Sequence, residues 1–270
     1  MSCDDEHYLP YDAHVHTSFS DGRDELSDCV RAAEAAGLRA VAITDHWYGQ
    51  GSSDDFEGHI AAIVRADAGS EVTVIPGVEA TILNPRGDVS ISIDEARRVC
   101  WILADFSQRT EGIARNVPAT VGGFLKNIEQ AMVNAAANPV VDAIAHPFNL
   151  GRWEATLNPE DLPADMIARV AEAFARNGCA YELMDQAYWW HPDISVAEYV
   201  RQITPILRVF SEAGVNFCAG SDAHSCGGVG NLGFVRRMMR EAGINRDQLV
   251  DLEALNDLRR HEQASGKQRF

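Results

Sequence analysis

The feature that most constrains the fold of this sequence is an alternation of short apolar runs with amphipathic helical stretches. The first run, Tyr11-Asp12-Ala13, leads into His14-Val15-His16 and is followed by a helix predicted over residues 25–36 from its apolar spacing. The run over residues 40–44 is continuously apolar, as is typical of a strand buried on both faces. The same signals predict further strands over 72–78, 140–145, 179–184 and 215–219 and helices over 164–176 and 196–213, the last with an interruption near Pro205. This alternation predicts a mainly parallel sheet covered by helices.

Bulk composition limits the class of protein. Of the 270 residues, 46% are hydrophobic, which is enough for a large buried core. The sequence contains no run of about 18 apolar residues, so no membrane-spanning helix is expected. The first residues are acidic, unlike a secretory signal, so a cytoplasmic location is expected and membrane association is not. The six cysteines are scattered without a C-x-x-C pair, which predicts reduced, mostly buried thiols. A net charge of −17 disfavours long nucleic acids as partners, because their binding depends on many basic contacts.

The chemistry-bearing residues follow the predicted strands at the point where each strand ends. In a parallel α/β barrel the carboxyl ends of the strands meet on one face, so residues distant in sequence lie together there. Imidazoles and carboxylates gathered in this way are ligands for Zn, Mn or Fe. The strand-end residues are His14, His16, Asp45, His46, Glu79, His146, Asp222 and His224, and the turn Ser20-Asp21-Gly22 adds a carboxylate.

Each of these residues has an ordinary explanation when it is taken alone. A single histidine at a strand end is usually a hydrogen-bonded surface residue, and Asp21-Gly22 alone is a turn signal. Glu79 after Pro76-Gly77-Val78 is compatible with the first turn of a helix. Their occurrence together at several strand ends of one chain favours a metal site.

At these residues the sequence resembles the PHP (polymerase and histidinol phosphatase) family of metal-dependent phosphoesterases. The matching segments occur in the family's order and span residues 11 to about 235. They are His-Val-His-Thr-Ser-Phe-Ser-Asp-Gly (14–22), Thr-Asp-His (44–46), Pro-Gly-Val-Glu (76–79), Ala-His-Pro (145–147) and Gly-Ser-Asp-Ala-His (220–224). The resemblance implies a distorted, TIM-like seven-stranded β/α barrel. We expect one PHP domain over residues 1–270, with a C-terminal helical segment over about 236–270.

The resemblance also implies two or three divalent ions, Zn, Mn or Fe, at the strand ends. The first ion is expected to be held by His14, His16, Glu79 and Asp222. Glu79 would bridge to the second ion, which His146 also holds. The third ion is expected to be held by Asp21, His46 and His224. Asp45 is interpreted as an orienting residue. Many family members have a further histidine between the positions of Glu79 and His146, and this sequence has none. The corresponding strand is expected near 99–105, where Cys100 or Asp105 can replace an imidazole and Trp101 cannot.

The expected reaction is hydrolysis of a phosphomonoester of a small metabolite or nucleotide by metal-activated water. Two metals about 3.5–4 Å apart can hold both the attacking water and the phosphoryl oxygens. Glu79 is expected beside this water, and His46 or His224 is expected to assist the leaving alkoxide. The predicted substrate contacts are Arg23 and Arg152 for phosphate and Trp189 and Trp190 for the organic part.

Three other functions remain open at this point. The same metals can hydrolyse a phosphodiester in a short oligonucleotide or a cyclic phosphate. Metal-dependent barrels also hydrolyse C–N or C–O bonds. The missing histidine motivates the last alternative, an inactive metal-binding module.

Overall fold

The computed structural model describes residues 9–49, 53–151, 153 and 157–267. Within these ranges the strands are β1 (Tyr11–Val15), β2 (Ala40–Ile43), β3 (His46–Trp47), β4 (Thr73–Thr81), β5 (Trp101–Asp105), β6 (Ala143–Ile144), β7 (Ala180–Met184) and β8 (Phe217–Gly220). The helices are α1 (Leu26–Ala35), α2 (Ser53–Asp67), α3 (Ile93–Ala96), α4 (Val121–Ala136), α5 (Ala164–Asn177), α6 (Val196–Glu212), α7 (Gly233–Ala242) and α8 (Leu252–Ser265).

The strands form a nearly closed parallel barrel. Seven of them follow the order β1-β2-β4-β5-β6-β7-β8, and the short β3 pairs with β4 through His46 and Glu79. The two ends of this path meet where Val15 bridges Ala223 and the His16 amide donates to the Ala223 carbonyl at 2.9 Å. The predicted seven-stranded β/α barrel is therefore confirmed, with β3 as an eighth, two-residue strand.

Most predicted elements have their expected place, and two differ. Helix α6 continues through Pro205, so the predicted interruption is wrong. Proline removes one backbone hydrogen bond, but the flanking Ile203 and Ile206 are buried, which stabilises the helix on both sides. Strand β6 is only two residues long, because the chain leaves the ladder before His146, whose φ is 32°.

Helix α8 covers the end of the barrel at which the strands begin. Its Arg260 donates to Asp67 at 2.9 Å and to the Val74 carbonyl near the start of β4 at 3.3 Å. Because α8 lies at the amino ends of the strands, the carboxyl ends are left to the loops that carry the candidate ligands. None of the helices in the described ranges has the length and apolar character required to cross a bilayer.

Candidate metal centre

The first cluster of candidate ligands lies at the carboxyl ends of β1, β4 and β8. The Nε2 atoms of His14 and His16 are 2.9 Å apart, as expected for neighbouring residues of one strand face. Each lies 3.4 Å from Glu79 Oε2. Asp222 Oδ1 is 3.5 Å from His14 Nε2 and 3.3 Å from His16 Nε2. The two imidazole nitrogens from the end of β1 therefore each lie within 3.5 Å of a carboxylate from β4 and of a carboxylate that follows β8.

Four of these separations fit a divalent metal, whereas the 2.9 Å between the two Nε2 atoms is shorter than the edge of such a site. A tetrahedral site with bonds of about 2.0–2.1 Å has edges of about 3.3–3.4 Å between ligand atoms. The four edges that join an imidazole nitrogen to a carboxylate oxygen are 3.3–3.5 Å, longer than ordinary N–H···O hydrogen bonds. The donor set, two imidazoles and two carboxylates, also suits Zn, Mn or Fe.

The orientation of His14 is fixed by a glutamate that the sequence analysis did not assign to the site. Glu182 on β7 accepts a hydrogen bond from His14 Nδ1 at 2.6 Å, and both side chains are fully buried. Its other oxygen accepts from the His146 amide at 2.7 Å. With Nδ1 carrying the proton, the lone pair of His14 Nε2 faces the cluster, as in carboxylate–histidine–metal arrangements.

A second group of candidate ligands lies beside the first, around Asp21. Asp21 Oδ2 is 3.4 Å from His46 Nε2 and 3.3 Å from His224 Nε2. Asp21 Oδ1 is 3.4 Å from His16 Nδ1, so His16 lies between the two clusters. We call this the outer cluster, because Asp21 and His224 are about half exposed. In the first, inner cluster His14, His16 and Glu79 are buried and the Asp222 side chain is 9% exposed.

The remaining predicted ligand, His146, lies against Glu79 on the other side. Its Nε2 is 3.2 Å from Glu79 Oε1, and His14 completes a group whose ligand atoms lie within 4.8 Å of one another. Since His14 Nδ1 is bonded to Glu182 and its Nε2 faces the inner cluster, this third group contributes two independent ligands. It therefore offers fewer independent ligands than the inner or the outer cluster.

The three residues at the expected position of the missing histidine lie in different environments. Cys100 is buried before β5 begins, and Trp101 donates from its indole Nε1 to the Ala13 carbonyl at 3.1 Å inside the barrel. Asp105 lies at the carboxyl end of β5, paired with Thr81, at the level of the candidate ligands. It is nevertheless absent from the three ligand groups formed by the described residues.

The imidazoles around the inner cluster keep its two carboxylates ionised. Burial raises the pKa of Glu79, but the imidazoles of His14 and His46 lower it more, and the net pKa lies well below the usual range. Burial likewise opposes ionisation of Asp222, whereas His14 and His16 lower its pKa to about 2. These carboxylates stay ionised, so the cage holds fixed negative charge where a divalent ion would lie.

The outer cluster predicts a pH-dependent metal affinity. The hydrogen bond to Asp21 raises the pKa of His224 to about 9, and Glu79 raises that of His46 to about 9 against the effect of burial. Both imidazoles are thus protonated in the metal-free protein at neutral pH and must lose these protons to bind an ion. We expect affinity to rise with pH up to about 9, with proton release near neutral pH. Calorimetry in buffers of different ionisation enthalpy measures this release; a pH-independent affinity would contradict it.

Asp45 holds the loop that carries Asp21. Its carboxylate accepts hydrogen bonds from Thr17 N at 2.8 Å and Oγ1 at 2.7 Å and from Ser20 N at 3.2 Å and Oγ at 2.6 Å. His59 Nε2 on α2 lies 3.1 Å away, and its ring stacks on Phe19 at 3.8 Å. The side chain of His59 is buried against this loop. The arrangement agrees with an orienting function for Asp45.

Loss of His59 should therefore weaken the outer cluster selectively. Replacing His59 by leucine removes the imidazole nitrogen that lies 3.1 Å from Asp45, and we expect affinity for an ion at Asp21, His46 and His224 to fall about 10- to 100-fold. His59→Gln retains a polar group at this position and should lie near wild type. Titration of the metal-free protein with Mn²⁺ measures both variants, with exposed His261→Leu as control. Equal affinities for wild type and His59→Leu would refute this function.

The residues predicted to contact the substrate differ in their placement and in their exposure. Arg23 is exposed beside the outer cluster, its amide donating to the His224 carbonyl at 2.9 Å. Trp190 packs edge-on against His146 with ring centroids 5.0 Å apart, whereas Trp189 is 65% exposed. Arg152 lies outside the described residues.

Two candidate ligands have backbones in the left-handed region. The φ angles are 32° at His146 and 54° at Asp222. Such conformations are uncommon for residues other than glycine and are concentrated at functional sites. Asp222 is held there by its neighbours, since the Ser221 amide donates to the buried Asp12 at 2.9 Å.

Comparison with known proteins agrees with the fold and gives the family. The model of the PHP domain family matches residues 12–186. A probable phosphatase of Vibrio campbellii is 26% identical over 245 residues, covering 90% of this chain and 88% of that protein. A probable phosphatase of Shewanella piezotolerans is 27% identical over 222 residues, covering 82% and 80%. The crystal structure of a histidinol phosphate phosphatase from Lactococcus lactis, complexed with zinc, L-histidinol and phosphate, superposes with a TM-score of 0.65 at 16% identity over 87% of this chain and 94% of that one.

The barrel and its cage of imidazoles and carboxylates define a metal-dependent hydrolase. The chain belongs to the PHP domain family, whose model covers more than half of its length. It is accordingly a metal-dependent phosphoesterase.

Proposed function

We propose that this protein is a phosphomonoesterase that releases inorganic phosphate from a small phosphorylated metabolite or nucleotide. The observation that carries the proposal is that the Nε2 atoms of His14 and His16 each lie 3.3–3.5 Å from carboxylate oxygens of both Glu79 and Asp222, with the outer cluster next to them. The description of relatives from Vibrio and Shewanella as probable phosphatases supports it.

The inner and outer clusters are the proposed sites of two divalent ions, Zn, Mn or Fe. His14, His16, Glu79 and Asp222 would hold the first, and Asp21, His46 and His224 the second. The pair of Glu79 and His146 offers too few independent ligands for a third ion of comparable affinity. Ions in these sites would lower the pKa of water and neutralise charge on the phosphoryl group.

The chain's own residues supply orientation and proton transfer. Hydrolysis forms a bond from a water oxygen to phosphorus, breaks the phosphorus–oxygen bond to the alcohol, and requires a proton on the leaving oxygen. Glu79, buried between the clusters, is the proposed residue beside the attacking water. The two histidines predicted to assist the leaving group would each lose a ring proton as ligands of the second ion, so each would act on the leaving oxygen by positioning water. His224 is the more accessible of the two, with 42% of its side chain exposed against 14% for His46.

The charge of the protein favours a small substrate. With a net charge of −17, the surface repels extended phosphate backbones. A monoester needs only one phosphoryl group at the cage, where bound cations compensate its charge. This distinguishes the proposal from an exonuclease.

Phosphate release tests the proposal. The metal-free protein is reloaded with Mn, Zn or Fe and assayed against a panel of phosphomonoesters, a mononucleotide, a dinucleotide and a cyclic nucleotide. We expect metal-dependent release from monoesters and none from the dinucleotide. Turnover confined to the dinucleotide or the cyclic nucleotide would establish a phosphodiesterase instead, and inactivity with all metals would refute the enzyme.

A further inference from the structure

A pocket of about 280 Å³ opens directly beside the outer cluster. The lining residues that matter here are His46, Tyr48, Asp105, Ser107 and Arg109. Because His46 belongs to both the pocket and the cluster, a phosphate ester held at the clusters has this pocket next to it. The volume is slightly below the range of about 300–1,000 Å³ that is usual for drug-sized ligands. It suits a small organic group.

One wall of the pocket presents a fixed guanidinium. Arg109 Cζ lies 4.2 Å from the centre of the Tyr48 ring, within the range of a cation–π contact. The Tyr48 ring in turn stacks against His46 with centroids 5.3 Å apart. The amide of Arg109 donates to Ser107 Oγ at 3.1 Å, which holds its backbone. A planar guanidinium held in this way directs several N–H donors with little loss of side-chain entropy on binding.

Another wall presents a buried carboxylate. Asp105 is 3% exposed and lies at the carboxyl end of β5 in register with Thr81. The negative charge of Asp105 acts on two other residues of the pocket, because it helps to raise the pKa of His46 and the pKa of Tyr48. The pocket thus combines a hydrogen-bond acceptor on a rigid strand with a hydrogen-bond donor stacked on an aromatic ring.

We propose that this pocket binds the alcohol part of the substrate and selects small polar alcohols. Arg109 donates to an oxygen of that alcohol, and Asp105 accepts from its hydroxyl or amino group. The proposal rests on the phosphomonoesterase function. Sequence reasoning had placed the cations for the substrate at Arg23 and Arg152 and had not considered Arg109, which follows no ligand-bearing motif.

A matched pair of esters tests this selection. Glycerol 3-phosphate and n-propyl phosphate share a primary leaving alkoxide and differ by two hydroxyl groups. A site built to hydrogen-bond its ligand discriminates strongly against an analogue that lacks the partner groups. We expect wild-type kcat/KM to favour glycerol 3-phosphate by about 100-fold or more. Arg109→Met should lower that ratio by about 10-fold or more, the effect of one lost charge-assisted hydrogen bond.

Two further measurements in Arg109→Met separate the alcohol from the phosphoryl group. The inhibition constant of inorganic phosphate and the bound-metal content by elemental analysis should both stay at wild-type values. Arg115→Met, an exposed arginine near the same loop, is the control and should change nothing.

The proposal is overturned by an unchanged ratio in Arg109→Met, or by a wild type that favours neither ester. It is also overturned by weaker inhibition by inorganic phosphate in the variant, since Arg109 would then bind the phosphoryl group. In each of these cases phosphate release from monoesters leaves the proposed function standing. Failure of that function gives a different result, which is no metal-dependent release from any monoester.

Discussion

Replacement of both His14 and His16 by alanine is expected to abolish metal binding at the inner cluster and, with it, measurable phosphate release. The two Nε2 atoms are half of the inner ligand set, and the remaining carboxylates of Glu79 and Asp222 lack imidazole partners in the variant. Elemental analysis should show at least one ion fewer per chain than in wild type. The phosphate-release assay with saturating metal measures the loss of turnover.

An exposed histidine provides the control for this double variant. His261→Ala on α8 should retain wild-type metal content and turnover, because His261 lies outside the clusters. Circular dichroism and thermal unfolding show whether the double variant is folded. A folded double variant that keeps its activity would contradict the assignment of the inner cluster.

Asp222→Asn is expected to lower kcat/KM by more than about 100-fold, beyond the 10- to 100-fold typical for loss of an outer hydrogen bond to a metal ligand. The substitution keeps the shape of the side chain and removes its charge. Asparagine also tolerates the left-handed backbone of this position, where φ is 54°, so the fold should be retained. The measurement is kcat/KM over a range of metal concentrations.

The metal dependence decides how the Asp222 result is interpreted. A required concentration of metal that rises together with the loss of kcat/KM supports a ligand function. Asp247→Asn, at an exposed position remote from the clusters in sequence, should behave as wild type. Less than a threefold loss in Asp222→Asn at limiting metal would count against Asp222 as a ligand.

The fold and the assembly of the site follow from sequence features of different kinds. The alternation of apolar runs and helical periodicity predicts a parallel barrel, and the geometry of parallel barrels then brings all strand ends to one face. This is why His14, Glu79 and Asp222, which are distant in the sequence, can be expected to meet. The structure brings all eight predicted ligands into three adjoining groups.

The supporting contacts could not be predicted, because they depend on register across the barrel. Glu182 and His14 are 168 residues apart, and only the pairing of neighbouring strands places the carboxylate at Nδ1. A Cβ atom at Gly220 would lie 2.1 Å from Glu182 Oε1, so glycine is required there for the contact between Glu182 and His14. In the sequence, Gly220 cannot be distinguished from any other residue at a strand end. His59 is on a helix with no motif, and its contact with Asp45 depends on how α2 packs.

The pocket residues Tyr48 and Arg109 also lacked a signal in the sequence. They lie in the segments after β3 and β5, and a cation–π pair between two loops has no characteristic spacing. Asp105 was considered only as a replacement for the missing histidine. Its position between the pocket and the strand end became apparent from the pairing of β5 with β4.

Anomalous X-ray diffraction from crystals grown with Mn²⁺ or Zn²⁺ locates the bound ions themselves. We expect one strong peak enclosed by His14, His16, Glu79 and Asp222 and a second enclosed by Asp21, His46 and His224. Data collected on both sides of the absorption edge of the metal identify the element. Crystals of active protein with no anomalous peak at the inner cluster would contradict the claim that these side chains form the catalytic metal centre.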